Sequence, residues 1–473
     1  MTEWQRNLDA FVLSRMADTK LPGLSLAVVS DGQVVYKRGY GFRDWHKGIA
    51  ATPATLYAIG SVTKSVTCLA LMQLQERGLL SVDDPVDKYL DFPLQPKGEK
   101  VRLWHFMTHT SGIPALGCAE QVLRQVLWPR QTQLTLGDPQ DMLGFLNEAG
   151  DWVHNRPGER WYYFNEGYVL LGAVIAKVSG MSYNDYVREH ILAPLGMERS
   201  FFTRDDVEGD PDAAIPSYTD KDGNYRAADY CYGKITAEGG MISSVEDMAK
   251  YIQMYIDRGV APSGQRLLTA ESVAELEKPR IPTPPEYFAP LSGPPTPGAP
   301  VADSDSPAWY GYGLAQSGMG EHTVVRHGGS VFVATAEMAF IPKQRVGAMV
   351  LTNSSGYPCG QIAQYALASA LGEEPEELPF VVAERRLKAL EGRYETYKAT
   401  TAVNVKRRGS FLVAENADPN TPISTVLIPE RLDDRGGLFW TISGVNKLPV
   451  EFIRDGDAVE VLQERYKLRR VGR

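Results

Sequence analysis

The chain has 473 residues, of which 43% are hydrophobic and 23% charged, and its formal net charge is −9 at pH 7. A chain of this length holds a large core divided among roughly two or three domains, and the composition is ordinary for a soluble globular protein. The acidic balance argues against a nucleic-acid partner, which favours basic surfaces, and because no run of about eighteen apolar residues occurs we expect no membrane span.

The N-terminal segment, MTEWQR, lacks the basic start and apolar core of a signal peptide. We therefore predict a cytoplasmic protein. Residues 4–18 are predicted to form an amphipathic helix. Leu24–Val29 and Val34–Tyr40 are predicted strands, and Asp31-Gly32 between them is a favourable hairpin turn.

The segment Ser61-Val62-Thr63-Lys64 lies where a helix is predicted to begin, since residues 65–80 carry apolar side chains at helical spacing. Ser61 and Lys64 are three residues apart and project from one helix face. A partly desolvated lysine can take the proton of a serine hydroxyl, and free N–H groups at a helix N-terminus can stabilise an oxyanion. On its own the spacing favours a simpler interpretation, a helix N-cap followed by an exposed lysine.

Metal and disulfide chemistry have little support in the sequence. His105 and His109 have the i, i+4 spacing of zinc ligands on one helix face, but no glutamate follows His105 and cysteine is sparse, so we predict no metal site. The cysteines are few and scattered, which gives no disulfide framework; they are Cys68, Cys118, Cys231 and Cys359.

Two later segments add polar side chains beside turns. Pro157-Gly158 marks a turn, and Tyr163 and Asn165 follow it before a helical pattern over residues 168–177. A predicted strand over residues 323–326 leads into His327-Gly328-Gly329, and residues 331–334 are predicted to be strand again. Glycines inside a strand allow another chain or a substrate to approach the backbone closely. By itself, His327 would be a structural histidine at a strand end.

Residues 281–307 contain nine prolines and are predicted to be a loop from their composition. A flap that narrows a cleft and a mobile surface insertion are both consistent with it, and the second is slightly favoured. A further break lies at residues 373–384, after which a short helix over residues 385–390 is predicted.

The C-terminal tail is predicted to be a small β-barrel or sandwich, because short strands recur with turns between them. The predicted strands are residues 402–407, 411–414, 425–428, 438–442, 450–453, 458–462 and 466–470. Residues 384–473 hold 17 Lys and Arg and 13 Asp and Glu, a net +4 that leaves −13 on the remainder. Opposite charges favour contact between the two modules, within or between subunits.

In this order and at these separations, S-x-x-K at residues 61–64, Y-x-N at 163–165 and H-x-G at 327–329 resemble the three motifs of the serine β-lactamase and penicillin-binding-protein-like superfamily. The resemblance covers about residues 5–370 and is strongest to the branch of class C β-lactamases, D,D-carboxypeptidases and D-aminopeptidases. The tail resembles the lipocalin-like C-terminal domain of some serine peptidases of this branch. Supporting segments are residues 103–113, 157–159, 170–172, 238–244 and 310–313.

The resemblance implies an α/β (α+β) β-lactamase-like fold, in which an antiparallel sheet flanked by helices packs beside an all-helical region and the site lies in the cleft between them. It implies a catalytic domain at residues 1–372 with the proline-rich insertion 281–307, a linker at 373–384 and a lipocalin-like β-barrel at 385–473. The barrel is a candidate for homo-oligomer assembly or substrate gating; a passive stabilising cap is an equal alternative.

The mechanism that the resemblance implies begins with attack of Ser61 on a carbonyl and formation of an acyl-enzyme. Lys64 would accept the serine proton, or would lower the pKa of Tyr163 so that the phenolate accepts it. Both alternatives remain open at this point. Asn165 suits both holding Lys64 and binding a substrate amide.

The third motif would supply the opposite wall of the site. His327 is implied to be catalytic, Gly328 and Gly329 to bind substrate, and the N–H group of Ser330 to complete an oxyanion hole with that of Ser61. Many β-lactamases have Lys-Thr-Gly here; a histidine resembles D,D-peptidases, D-aminopeptidases and related amidases. No cofactor or metal is implied.

The predicted function is therefore that of a serine hydrolase acting on amide bonds of small peptides, D-amino-acid-containing ones among them, as a D-aminopeptidase or a carboxypeptidase-like enzyme. The alternatives are a carboxylesterase, a weak β-lactamase, and a non-catalytic ligand-binding or assembly protein of the same fold. The fixed cation that suits a β-lactam carboxylate is absent from the third motif, which disfavours efficient β-lactam hydrolysis.

Overall fold

The computed structural model describes residues 1–118, 120–122, 138–220, 224–230, 236–284, 308–356, 358–418, 420, 422–443 and 445–472. Within them the chain divides into two compact units, and the second unit takes the chain from Glu374 onward. Cys231 and residues 285–307 of the predicted proline-rich loop lie outside the described residues.

The first unit is built on a nine-stranded antiparallel sheet, with strand order β3-β2-β1-β14-β13-β12-β11-β10-β9. β1 and β14 are buried along nearly their whole length, because helices cover both faces of the sheet there. The strands of this sheet are β1 Gly23–Ser30, β2 Gln33–Asp44, β3 Ile49–Ala50, β9 Ile281–Pro282, β10 Trp309–Tyr310, β11 Ala315–Met319, β12 His322–Ser330, β13 Thr335–Ile341 and β14 Val346–Thr352.

Short strands outside this sheet complete the first unit. A three-stranded sheet has the order β4-β8-β5, and β6 pairs with β7. Their bounds are β4 Tyr57–Ala58, β5 Ser200–Phe201, β6 Ser217–Thr219, β7 Tyr225–Ala227 and β8 Ile242–Ser243.

Most of the helices lie between β4 and β9, where they are interrupted by the short strands β5 to β8. The described α-helices are α1 Glu3–Thr19, α2 Thr63–Glu76, α3 Leu103–Met107, α4 Pro139–Leu146, α5 Asn165–Ser179, α6 Tyr183–Val187, α7 Ala193–Leu195, α8 Val245–Ile256, α9 Ala270–Glu277, α10 Cys359–Leu371 and α11 Pro379–Ala389. Short 3-10 helices lie at Gly60–Val62, Val86–Lys88, Pro96–Gly98, Ala149–Trp152, Pro342–Gln344, Pro375–Glu377 and Tyr397–Ala399, and a π-helical turn at Arg188–Leu192.

The predicted N-terminal helix and the two predicted strands after it are confirmed. The predicted helix is α1, and the two predicted strands are β1 and β2, joined at Asp31-Gly32, where Gly32 has φ +74°. The buried carboxylate of Asp9 ties α1 to the sheet, because it accepts hydrogen bonds from the hydroxyls of Tyr36 and Tyr40 on β2.

Two local predictions are wrong. The helix that begins after Ser61 ends at Glu76 rather than Leu80, because Gly78 takes a left-handed φ of +70° and stops it. Residues 331–334 form the turn between β12 and β13 rather than a strand. Their apolar side chains are explained by packing, since Val331 and Val333 are buried in a cluster with Leu56.

The start of the predicted proline-rich loop is also corrected. Ile281–Pro282 form strand β9, which pairs with β10 at the edge of the nine-stranded sheet. Proline is tolerated in this position because an edge strand leaves one row of backbone groups without a ladder partner.

The second unit contains a closed antiparallel barrel of eight strands, β15 to β22, in sequential order. Seven of these strands match the predicted ones; β15, Gly392–Glu395, was not predicted because Tyr394 is its only large apolar residue. The strands are β15 Gly392–Glu395, β16 Ala402–Arg408, β17 Phe411–Asn416, β18 Ser424–Asp433, β19 Gly436–Ser443, β20 Asn446–Asp455, β21 Ala458–Gln463 and β22 Tyr466–Gly472.

The barrel and the helix-flanked antiparallel sheet together confirm the predicted fold class. None of the helices in the described part of the chain combines the length and the apolar character that a membrane crossing requires.

Candidate active site

Ser61 lies in the 3-10 turn Gly60–Val62 that leads into α2, and it is not the helix N-cap, which is Val62. The third motif packs directly onto this turn. A Cβ on Gly60, which has φ +52°, would lie 2.7 Å from the backbone nitrogen of Ser330, and a Cβ on Gly329 would lie 2.0 Å from the carbonyl oxygen of Ile59. Glycine is therefore required at both positions, and the backbones of Ser61 and Ser330 come close together.

Lys64 is fully buried, and its amine has three oxygen neighbours. The Nζ atom lies 3.1 Å from Ser61 Oγ, 2.7 Å from Asn165 Oδ1 and 2.6 Å from the carbonyl oxygen of Glu238. Asn165 is the first residue of α5, and Glu238 lies just before β8. Three distant stretches of chain therefore meet at this amine.

Burial lowers the pKa of Lys64 to about 7, because a charged amine is poorly solvated in this position. The carboxylates of Glu238, Glu120 and Glu166 act in the opposite direction, and burial is the larger effect. Burial also raises the pKa of the Glu166 carboxyl to about 7 and raises that of Glu238. The pocket around Lys64 thus favours the neutral amine and the neutral forms of both carboxyls.

The hydrogen-bond geometry of a neutral Lys64 amine orients it toward the serine. A neutral amine has two N–H groups and one lone pair. The amide oxygen of Asn165 and the carbonyl oxygen of Glu238 can only accept hydrogen bonds, so they take the two N–H groups. The lone pair then faces Ser61 Oγ at 3.1 Å, within the reach of proton transfer.

Two aromatic rings enclose the amine. Nζ of Lys64 lies 4.7 Å from the ring centre of Tyr163 and 5.3 Å from that of Tyr168. Tyr163 precedes α5 and is half-buried, whereas Tyr168 is fully buried within α5. The structure therefore brings Ser61, Lys64, Tyr163 and Asn165 into one cluster.

His109 holds the segment that carries Tyr163. Its Nδ1 accepts the N–H of Phe164 at 3.0 Å, its carbonyl oxygen accepts the N–H of Tyr162 at 2.8 Å, and its ring centre lies 4.2 Å from that of Tyr163. Because Nδ1 accepts, the proton of the neutral ring lies on Nε2, which is buried and has no hydrogen-bond partner in the described part of the structure.

The zinc interpretation fails on geometry. α3 ends at Met107, and His109 has a left-handed φ of +60°, so His105 and His109 do not share a helix face. Both Nδ1 atoms accept backbone N–H groups, that of His105 from Arg102 at 2.9 Å. The described residues contain no cluster of His, Cys, Asp and Glu suited to a metal ion.

His327 lies on β12, is 3% exposed and is neutral. Burial, with a further effect from Lys64, lowers its pKa to about 3. Nδ1–H donates to the carbonyl oxygen of Gly328 at 2.6 Å, and Nε2 accepts the hydroxyl of Tyr310 at 2.8 Å. Both ring nitrogens are therefore occupied, and this residue does not provide a cation near neutral pH.

Sequence reasoning missed the support around the cluster, namely the Glu238 carbonyl, the Tyr310 hydroxyl and the His109 ring. Each lies inside a segment that matched the motif family, but a backbone carbonyl that binds a lysine 174 residues away leaves no signal in residue type. Glu166 and Glu238 could have been found from the sequence, because each is an acidic residue inside a largely apolar segment. Acidic side chains are rarely buried without a partner, and both of these are buried.

The chain matches two protein-family models. Residues 8–372 match the model described as Beta-lactamase, and residues 375–469 match the Pab87 octamerisation domain. Among named relatives, Protein flp of Staphylococcus aureus strain MW2 is 26% identical over 361 residues, which are 74% of this chain and 63% of that protein. The putative penicillin-binding protein PbpX of Bacillus subtilis strain 168 is 30% identical over 232 residues, 49% of this chain and 54% of that protein. The chain thus spans less than two thirds of the length of these relatives.

Solved structures extend the likeness to the whole chain. The octameric penicillin-binding protein homologue from Pyrococcus abyssi has 39% sequence identity and a TM-score of 0.87, and the match covers 98% of this chain and 99% of that one. The D-amino acid amidase from Ochrobactrum anthropi SV3 has 21% identity and a TM-score of 0.62, covering 78% of this chain and 99% of that one. The second match shows a shared fold only.

Proposed function

This chain belongs to the β-lactamase family, and from that premise we propose that it is a serine hydrolase that cleaves amide bonds of small peptides through an acyl-enzyme on Ser61. The observation that carries the proposal is the position of the buried Lys64 amine, whose Nζ lies 3.1 Å from Ser61 Oγ and within hydrogen-bond distance of the acceptor oxygens of Asn165 and Glu238. A serine hydroxyl becomes a nucleophile when a positioned base takes its proton.

In the acylation step, Ser61 Oγ attacks the substrate carbonyl carbon and its proton passes to Nζ of neutral Lys64. The carbonyl electron pair moves to oxygen, and the N–H groups of Ser61 and Ser330 stabilise the resulting oxyanion. When the tetrahedral intermediate collapses, the C–N bond breaks and the leaving nitrogen takes the proton from the Lys64 ammonium. Tyr163, whose ring lies 4.7 Å from Nζ, is proposed to relay that proton through its hydroxyl.

In the deacylation step, water attacks the ester carbonyl of the acyl-enzyme and gives a proton to Lys64. The ester C–O bond breaks, and Ser61 recovers its proton as the carboxylic acid product leaves. The same amine therefore acts as base in the first half of each step and as acid in the second half. A pKa near 7 suits both roles at neutral pH.

The charge of the third motif favours substrates without a carboxylate next to the scissile bond. His327 is neutral, both its ring nitrogens are occupied, and Lys64 loses its charge near pH 7. A β-lactam or a peptide C-terminus would find no fixed cation at either residue. We therefore propose aminopeptidase or amidase activity, with D-residues among the substrates, rather than carboxypeptidase or β-lactamase activity.

A substrate panel tests this proposal. D- and L-aminoacyl p-nitroanilides, D-alanyl-D-alanine peptides with a free C-terminus, p-nitrophenyl acetate and nitrocefin are each assayed with the wild type and the Ser61→Ala variant. We expect kcat/KM for the aminoacyl anilides to exceed that for the C-terminal peptides and nitrocefin by about tenfold or more, which corresponds to about 1.4 kcal/mol of transition-state binding. Turnover of nitrocefin or of the ester without any amide cleavage would contradict it.

His109 gives a prediction about positioning. His109→Leu removes the acceptor of the Phe164 N–H and is expected to lower kcat by roughly a hundredfold, because Tyr163 and Asn165 lose their fixed positions. His109→Asn is the matched control, since an asparagine side-chain oxygen can accept the same N–H and asparagine tolerates the left-handed φ of +60°.

Steady-state kinetics of both variants, with thermal unfolding alongside, separate the outcomes. Recovery of most of the wild-type kcat in His109→Asn supports positioning. Equal kcat for wild type and His109→Leu would show that His109 does not position the site.

We also propose that the chain forms a homo-oligomer through its barrel. Residues 375–469 match an octamerisation domain, and the 39% identical Pyrococcus abyssi protein is described as octameric. Light scattering coupled to size-exclusion chromatography should then give a mass several times that of the 52.2 kDa chain.

A further inference from the structure

The barrel has two ends of different character, and its topology defines them. Every strand from β15 to β22 pairs with its neighbours in the chain, and β15 pairs with β22. Connections in such an up-and-down barrel alternate between the ends. The β15–β16, β17–β18, β19–β20 and β21–β22 connections therefore lie together at one end, which we call the open rim, and the other three lie at the opposite end.

The open rim carries large apolar side chains that are exposed to solvent. Val445, in the β19–β20 turn, is 98% exposed, and Ile442 beside it is 73% exposed. Each of the four connections of this end contains such a residue or is flanked by one in the adjoining strands. The set is Tyr397, Ile423, Ile442, Val445, Leu462 and Tyr466.

The turns of the opposite end are polar, with Ile453 and Val471 as exposed apolar residues near them, and this end is already covered by the chain itself. Its turns have the sequences Arg408-Gly409-Ser410, Asp433-Asp434-Arg435 and Asp455-Gly456-Asp457. Leu387 of α11 and Leu390 just after it are buried in the barrel core.

Polar contacts fix this covering helix. Arg386 Nε donates to Asp434 Oδ1 at 2.9 Å, and Arg470 Nη1 donates to the carbonyl oxygen of Ala389 at 2.7 Å. The described part of the second unit has no element that covers the open rim in the same way. The open rim therefore differs from the opposite end in two ways: it has more exposed apolar residues, and no described helix packs against it.

Exposed apolar residues grouped at one end of a domain mark an interaction surface, whereas scattered ones need no explanation. We propose that the open rim is the surface through which one copy of this chain binds a second copy. The inference rests on the proposed homo-oligomer, and it adds which part of the barrel makes the contact. The second copy is the chosen occupant because residues 375–469 match an octamerisation domain.

The test compares two double variants of the full chain. Ile442→Asp with Val445→Asp places two carboxylates on the open rim. Ile453→Asp with Val471→Asp makes the same chemical change at the opposite end, on residues that are 42% and 57% exposed. All four side chains are exposed to solvent and none belongs to the buried barrel core, so neither variant removes core packing.

Sedimentation equilibrium measures the assembly of both variants and of the wild type. Because truncation of central interface residues commonly weakens binding by about 30-fold or more and a buried unpaired carboxylate weakens it further, the rim variant should dissociate at roughly hundredfold higher protein concentration than the wild type. The control variant should assemble as the wild type does. Thermal unfolding checks that both variants remain folded.

Each outcome has one meaning. A rim variant that assembles like the wild type, or a control variant that dissociates equally, overturns the assignment of the open rim while the homo-oligomer stands. A wild type that is monomeric at every concentration overturns the homo-oligomer, and the assignment with it.

Discussion

Ser61→Ala is expected to lower kcat for every hydrolysed substrate by about ten-thousandfold or more, because it removes the atom that bonds to the substrate carbonyl. The fold should be unaffected. Ser61 is only half-buried, and it does not cap α2. The variant should therefore unfold at the wild-type temperature.

Ser182→Ala is the matched control, because Ser182 is the N-cap of α6 and accepts the N–H of Asp185 at 3.1 Å. Loss of this cap is expected to destabilise the protein by about 1 kcal/mol without changing kcat. Ser61→Ala should therefore lower kcat without lowering stability, whereas Ser182→Ala should lower stability without lowering kcat. Wild-type kcat in a purified Ser61→Ala sample would end the proposed mechanism.

Lys64→Met is expected to lower kcat by roughly a hundredfold to ten-thousandfold, the usual contribution of a positioned general base. Methionine keeps an unbranched, apolar side chain in the buried position but has no proton acceptor of comparable strength. Lys37→Met is the matched control, since Lys37 has a half-exposed side chain paired with Glu246 at 2.5 Å. That control should retain the wild-type kcat.

The pH profile distinguishes a base from a structural lysine. Only the neutral amine of Lys64 can accept the Ser61 proton, and burial lowers its pKa to about 7. The logarithm of kcat/KM should therefore rise with pH below about 7 and level off above it. The residual activity of Lys64→Met should no longer fall below about pH 7. If it falls as the wild-type activity does, the group that titrates is not Lys64.

The three motifs could be found from the sequence because they combine residue type with order. Their chemistry depends on burial, which the sequence did not give. The same sequence pattern is equally consistent with an exposed lysine that has no catalytic role. Only the fold shows that Lys64 is enclosed by Tyr163, Tyr168 and the carbonyl of Glu238. The assignment of catalytic residues and the exact domain boundaries stay predictions.

Strand prediction succeeded where turn residues bound short runs of strand-forming residues, and it failed where packing replaced regular structure. The Asp31-Gly32 hairpin and seven strands of the barrel were found in this way. The apolar residues 331–334 fill a buried cluster from a turn that contains Phe332 at φ +62°. β15 closes the barrel, but it has a single large apolar residue, Tyr394, and therefore gives no strand pattern.

The most direct test of the account is the location of a covalent adduct. The wild type and Ser61→Ala are incubated with a fluorophosphonate, digested, and mapped by tandem mass spectrometry. We predict one phosphonylated peptide, with the modification on Ser61, and none in the variant. A wild type that hydrolyses substrate while Ser61 stays unmodified, or an adduct on a different serine that accompanies loss of activity, would contradict the assignment of Ser61 as the nucleophile.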